Sequence, residues 1–398
     1  MNLYNSATRS VEPLTVVDNH VGIYVCGVTP YDTTHAGHAF TFLTFDILVR
    51  YLRSLGHDVT YVQNVTDIDD DILRKAKEVG LTWDELGRRE TEKYLDDMRQ
   101  LNALPFDHYL RATETVPLMV SLIEALVAEG HAYEANGSVY FSVATDPEFG
   151  KLSRIPRGEM LAVANERGNN PDDPNKRDPL DFVLWQAAKP GEPTWNSPWG
   201  PGRPGWHIEC SAMSMSVLGD TVDIHGGGAD LIFPHHECEI AQSENATGVK
   251  PFTRYWMHVA MVEYQGEKMS KSLGNLVIAS NVLQDFTADA FRLYLFSHHY
   301  RDAWEYVDAE IEPWADLARD MCEAVDTPSY SIGEMLDSSV YRTRFTAAMD
   351  NDLDTPAAIE QLRELTSEIL AAEDTDISPA QRELRQLAGI LGLTLSDA

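Results

Sequence analysis

Two short stretches in this chain of 398 residues are suited to handling polyphosphate. The first is His35-Ala36-Gly37-His38, just after an apolar run ending Tyr24-Val25-Cys26. If a helix begins there, its free N–H groups and partial positive charge favour an anion, and Gly37 lets a ligand approach the backbone. Imidazoles at His35 and His38 can donate hydrogen bonds to oxygens that gain charge as pyrophosphate departs. The second stretch is Lys268-Met269-Ser270-Lys271-Ser272, followed by Leu273-Gly274-Asn275. Two ammonium groups three residues apart, Lys268 and Lys271, can close over a triphosphate and offset its developing charge. The plain alternatives are two ordinary loop histidines and a solvated basic turn. The strand–loop–helix context of the first stretch and the full string of the second favour chemistry.

A third group could hold a metal: Cys26, Cys210, His235 and Glu239. His235 and Glu239 are four apart, one helical turn, and so face the same way. No CxxC pair supports the idea; Cys26 alone reads more readily as a buried strand residue, and Cys210 is consistent with a packed element. Cys238 points off the His235/Glu239 face and, like Cys322, reads as structural. Asp223-Ile224-His225-Gly226-Gly227-Gly228-Ala229-Asp230 reads as a strand end and glycine loop against which a ligand could lie, an acidic group there holding a ribose; tight-turn chemistry is the alternative. His298-His299-Tyr300-Arg301 is either a helix end with favourable cations or a surface of the site.

These residues need elements to position them. Val21–Cys26 reads as a buried strand, Phe40–Leu55 as a helix ended by Gly56, and Asp58–Val65 as a second strand. That order is a parallel βαβ unit, with ligands expected at the strands' carboxyl ends, near Cys26 and Asn64 to Asp67. Residues 80–130 look helical, most clearly around Leu118, Met119, Leu122 and Leu126. Tyr133–Phe141 is a hairpin through Asn136-Gly137. From Lys151 to Arg203 the chain is rich in Pro, Gly, Asn and Asp and reads as an irregular insertion splitting the sheet. Later strands are expected at Thr221–Ile224 and Tyr255–Val262. After Asn275 the pattern is helical, with helices opening at Thr355-Pro356 and Ser378-Pro379.

Composition bounds the class. A 43% hydrophobic content is that of an ordinary globular chain with more than one domain. No apolar run reaches transmembrane length and no signal segment opens the chain, so a cytoplasmic protein without a membrane partner is expected. Four cysteines are not a disulfide framework. The formal charge of −32 is unusual, and residues 321–398 hold five Lys/Arg against fifteen Asp/Glu, a net −10. Such a surface repels phosphates, which makes the terminal segment a poor RNA platform.

At these residues the chain resembles the class I aminoacyl-tRNA synthetases: His35–His38 is similar to their HIGH motif and Lys268–Ser272 matches KMSKS. More narrowly it resembles the cysteine-activating branch, through Tyr24-Val25-Cys26-Gly27, Tyr61–Asp70, Gly205-Trp206-His207-Ile208-Glu209-Cys210-Ser211 and Asp230–Glu237. The resemblance covers essentially the whole chain. It implies an α/β, Rossmann-like catalytic domain in two parts (1–115 and 206–275) around an inserted connective region (116–205). A helical stem (276–320) and a C-terminal helical bundle (321–398) would follow. It implies one Zn2+ held by Cys26, Cys210, His235 and Glu239, with the substrate thiolate as a further ligand, and ATP-Mg2+ as substrate. It also implies catalysis by His35, His38, Lys268 and Lys271. Substrate and adenylate would lie along Cys26, Gly27, Val28, Thr29, Thr41, Asn64 and Val65. Thr66 and Trp206 would line the cysteine pocket, and Gly228, Ala229, Asp230 and Val262 the adenylate site.

Within that branch the cysteinyl group goes either to a tRNA-Cys ribose hydroxyl or to the amine of glucosaminyl-inositol, the mycothiol precursor. Thr29-Pro30-Tyr31-Asp32, Phe40 and Glu166-Arg167-Gly168-Asn169-Asn170-Pro171 resemble the mycothiol cysteine ligases, as does the lack of a basic module after the bundle. Glu237–Ser243 with Glu239, Asp181–Trp185 and Tyr255–His258 resemble the tRNA-charging enzymes. The expectation is activation of L-cysteine by ATP and transfer to the amino sugar, with tRNA as the alternative acceptor.

Overall fold

Alternation decides how the central sheet is used. In the strand His20–Val28, Val21, Ile23 and Val25 are buried in one core, while Tyr24 and Cys26 are buried in another on the opposite face. The computed structural model describes residues 1–31, 34–269, 274–329 and 334–396. A short antiparallel pair, β1 (Asn2–Asn5) and β2 (Ser10–Pro13), precedes β3 (His20–Val28). Then come α1 (Ala36–Ser54), β4 (Asp58–Val65), α2 (Asp70–Val79), α3 (Trp83–Gln100) and β5 (His108–Arg111). With β10 (Val222–Gly228) and β11 (Thr253–Val259), these strands form a five-stranded parallel sheet in the order β11-β10-β3-β4-β5. The order reverses between β3 and β10, so their carboxyl ends flank a crevice suited to a ligand.

Between the two halves run α4 (Val116–Ala128), β6 (Ala132–Ala135), β7 (Ser138–Phe141), α5 (Arg157–Glu166), β8 (Phe182–Ala187) and β9 (Gly202–Pro204). The four strands make a separate antiparallel sheet, β6-β7-β8-β9. The expected hairpin is its first pair, turning through Asn136 (φ 51°) and Gly137 (φ 79°). The chain returns through α6 (Trp206–Leu218), β10, α7 (Glu237–Thr247) and β11. A small sheet, β13-β12-β14, combines β12 (Val262–Tyr264), β13 (Glu267–Lys268) and β14 (Trp304–Glu305). The rest is helical: α8 (Ala279–Asp285), α9 (Ala288–Phe296), α10 (Glu312–Asp326), α11 (Ser339–Asp350), α12 (Thr355–Ala371) and α13 (Ser378–Ile390).

Several sequence expectations change. The helix after β3 begins at Ala36 and not Phe40, because His35 caps it. The stretch expected to be helical from 80 to 130 contains β5, an edge strand too short and too polar to show a period. The stretch read as irregular contains α5, β8 and β9. The last parallel strand stops at Val259: Ala260 N–H turns to Tyr300 O, and Val262 opens a different sheet. Asp354 is the N-cap of α12, its carboxylate accepting from Ala357 N–H, with Thr355-Pro356 inside the first turn. Asp223 is structural, accepting from Gly22 N–H (2.9 Å) and Arg254 (2.6 Å). His298 stacks on Trp304, while Tyr300 and Arg301 both reach Asp352 at 2.6 Å, so this segment ties the bundle to the body.

Candidate active site

His35 adopts an extended conformation (φ −111°, ψ 168°) and its Nδ1 accepts from His38 N–H at the start of α1. The two rings stack with centroids 3.8 Å apart. A short bridge secures this corner: Ala36 N–H donates to Val277 O (2.8 Å) and Ala279 N–H to Thr34 O (3.0 Å). The chain leaving the lysine-rich motif is therefore fastened to the histidine motif, although the two lie about 230 residues apart in the sequence. Lys268 lies in β13, opposite Glu263, and the next residue, Met269, is buried. Lys271 falls outside the described residues, with Ser270, Ser272 and Asp32.

The four metal candidates come from four different segments. Cys26 ends β3, Cys210 lies in the second turn of α6, His235 in the turn before α7, and Glu239 in α7. Their ligand atoms all lie within 4.8 Å of one another, and all four residues are buried. Cys26 Sγ is 3.5 Å from Glu239 Oε1, and His235 Nε2 is 3.1 Å from the same oxygen. Zinc with bonds of about 2.0–2.3 Å has tetrahedral edges of roughly 3.3–3.8 Å, so the spacing suits such an ion. The orphaned atoms point the same way: among the described residues, His235 Nε2 and Glu239 Oε2 have no aligned hydrogen-bond partner despite complete burial. On the far side of its ring, His235 Nδ1 meets His207 Nδ1 at 2.9 Å, an outer contact of the kind that orients a ligating imidazole. Burial pushes both thiols up and the His235 imidazole down, leaving the imidazole neutral.

Neighbouring side chains explain the precision. Asn64 Oδ1 accepts from Gly27 N–H (2.8 Å) and from Cys210 Sγ (3.7 Å), tying β3, β4 and α6 together beside the metal candidates. A Cβ on Gly27 would sit 1.7 Å from Asn64 O, so only glycine allows this approach. The Trp206 ring stacks on His235, centroids 4.3 Å apart. Thr66 donates to Glu209 (2.8 Å), a fully buried carboxyl that desolvation raises well above its usual range.

In front of this cage opens a cavity of about 1310 Å³. Its floor is the carboxyl end of β3, with Cys26, Gly27, Val28 and Thr29, and one wall is the α1 corner, with His35, His38 and Thr41. Trp206, Gly228, Asp230 and Val262 complete the predicted lining. Asn64, Val65 and Thr66 are buried behind it, and Ala229 lies in a short turn between Gly228 and Asp230. A further wall was not anticipated. It comes from the insertion, through Glu166, Arg167, Asn169, Asn170 and Lys176, with Cys238 also reaching the lining despite its off-face position. His225 and His236, both buried at the cage, were also missed, because a histidine in a glycine-rich strand end and one beside another histidine give no spacing signal.

A parallel sheet, a histidine-capped helix at its switch point and the segment after the lysine motif fastened beside that helix define a class I synthetase catalytic domain. The comparisons agree. Residues 13–315 match the family described as tRNA synthetases class I (C) catalytic domain, and residues 344–396 the DALR domain. The chain belongs to this family and is an ATP-dependent cysteine ligase. It is 45% identical over 403 residues to a Cysteine--tRNA ligase of Dehalococcoides mccartyi, covering 99% of this chain and 86% of the relative. It is 43% identical over 398 residues to the L-cysteine:1D-myo-inositol 2-amino-2-deoxy-alpha-D-glucopyranoside ligase of Thermomonospora curvata, covering 99% of this chain and 94% of that one. Mycobacterium tuberculosis methionyl-tRNA synthetase, solved with methionyl-adenylate, shares the fold at TM-score 0.67 and 16% identity, over 94% of this chain and 88% of that one. Among the described residues, no helix is long and apolar enough to cross a membrane.

Proposed function

We propose that this ligase activates L-cysteine with ATP-Mg2+ and passes the cysteinyl group to the amine of glucosaminyl-inositol. A carboxylate oxygen of cysteine attacks the α-phosphorus, pyrophosphate leaves, and cysteinyl adenylate remains in the cavity. His35 and His38, at the positive end of α1, donate to the phosphate oxygens as charge moves onto them, and Lys268 and Lys271 offset the charge of the departing pyrophosphate. The amine nitrogen then attacks the acyl carbon, AMP departs, and the nitrogen sheds a proton to give the amide. Cys26, Cys210, His235 and Glu239 would hold a zinc ion, which when bound supplies a soft contact that prefers a thiolate to a hydroxyl. Trp206 packs on His235 and fixes its ring. The need for ATP and a reduced thiol fits a cytoplasmic setting.

The observation behind the amino-sugar acceptor is the insertion wall. Glu166, Asn169, Asn170 and Lys176 face the same cavity as His35 and His38, offering donors and acceptors suited to a polyol. The cavity also exceeds the usual range of about 300–1,000 Å³ for a ligand site, which leaves room for a small acceptor beside the adenylate. Transfer to tRNA is the second reading, favoured by Glu239 joining the metal cage and by 45% identity to a Cysteine--tRNA ligase. Against it stands the net charge of −10 over residues 321–398. The test is incubation with ATP, cysteine and each acceptor, followed by mass spectrometry. An amide of glucosaminyl-inositol supports the proposal; charged tRNA-Cys without amide overturns it. Cysteine-dependent pyrophosphate exchange reads activation alone.

A further inference from the structure

Glu239 is surrounded by more imidazole than a single four-ligand ion can use. Beyond His235, it meets His225 Nε2 at 3.3 Å through Oε2 and His236 Nε2 at 3.9 Å through Oε1. His225 Nε2 is also 3.4 Å from Cys26 Sγ. These four residues, Cys26, His225, His236 and Glu239, are all buried, with ligand atoms within 4.8 Å of one another. His236 is oriented much as His235 is. Its Nδ1 meets His258 Nε2 at 2.8 Å, and His258 Nδ1 meets Ser6 Oγ at 2.7 Å, so Nε2 is turned inward. Among the described residues, that Nε2 has no hydrogen-bond partner. The packing alternative, imidazoles filling space against Trp256 at 4.6 and 5.0 Å, explains their burial. It does not explain a buried polar atom left unpaired and directed at a carboxylate.

We propose that Cys26, His225, His236 and Glu239 form a second site for a borderline-soft divalent cation, overlapping the first and sharing Cys26 and Glu239 with it. One ion then has two positions: a two-thiolate position with Cys210 and His235, and a one-thiolate position with His225 and His236. Glu239 Oε1 lies near His235 (3.1 Å) and His236 (3.9 Å) and Oε2 near His225 (3.3 Å), so the carboxylate is within reach of both positions. This inference rests on the metal assignment made above. Its consequence is that the ion stays in the cage when Cys210 and His235 are lost.

The test uses the full chain loaded with zinc or Co2+: wild type, C210S, C210S/H235A, and the last combined with H225A/H236A. Metal content is measured after desalting, thiolate ligation by sulfur-to-cobalt charge transfer, and imidazole count by X-ray absorption. C210S/H235A is expected to keep a full equivalent of metal with one thiolate and two imidazoles, and the fourfold variant to lose it. A folded C210S/H235A that binds no metal, beside a metal-bearing wild type, overturns the second site and leaves the first standing. A metal-free wild type removes both. Thermal melts establish folding; if C210S/H235A does not fold, C210S alone decides. Two imidazoles on its ion support the second site, and one imidazole overturns it.

Discussion

At the residue scale, the histidine motif is a helix cap to which we also assign phosphate binding. His35 caps α1 while stacking on His38, and both rings remain partly exposed to the cavity. Replacing His38 with Asn should lower cysteine-dependent pyrophosphate exchange by about 10²–10³-fold, the usual cost of one donor to a developing charge. The melting temperature should barely move; a comparable fall in stability would make the residue structural. The thiols allow a pH prediction. Burial pushes Cys26 and Cys210 up, so without metal both hold their protons through the neutral range. Zinc binding must expel those protons, so affinity should strengthen as pH rises, by up to about tenfold per pH unit for each proton released. Chelator competition across the neutral range measures the slope, and a flat profile would rule out thiolate ligation.

At the element scale, the β3–α1–β4 unit was legible because its strands are apolar and its turns are marked by glycine. Asp58–Val65 is the strand that was expected, residue for residue. Elements that rely on partners were hidden. Edge strand β5 has half-buried residues and no clean alternation, and β9 is three residues held by Trp185, Gln186 and Ala187 of β8. The close approach of β3 to β4 gives a sharp prediction. Gly27→Ala would press a methyl group into Asn64 O and should destabilise the fold by about 1–3 kcal/mol, measured by urea unfolding. Because the same strand end carries Cys26, metal content should fall as well. An alanine variant of wild-type stability would contradict the geometry described for this corner.

At the scale of the whole molecule, a buried ion pair on α9 fastens the helical part that follows the catalytic sheet to α1. Arg292 on α9 meets Asp46 of α1 at 2.5 Å and donates to Leu101 O and Leu391 O, each at 2.8 Å. Arg292→Ala would leave the Asp46 carboxylate in the interior with the partly buried Arg50 as its remaining cation and Leu104 N–H as a donor. The expected cost is about 3–5 kcal/mol, read as a lower melting temperature. The strongly acidic surface suggests another experiment. With a formal charge of −32, self-repulsion opposes the folded state, and salt that screens beyond about 10 Å at 0.1 M should relieve it. The melting temperature should therefore rise with sodium chloride, and no change would mean that the charges are already dispersed or paired.

The sequence by itself determined the first βαβ unit and the family, because each is written in short stretches whose residue types act locally. Only the tertiary structure decided which histidines surround Glu239 and which segment walls the cavity opposite His35. Those choices depend on contacts between β3, α6, the turn before α7 and the insertion. No local pattern encodes them, since a buried imidazole and a ligating one have the same neighbours in sequence and differ only in what the fold brings to face them.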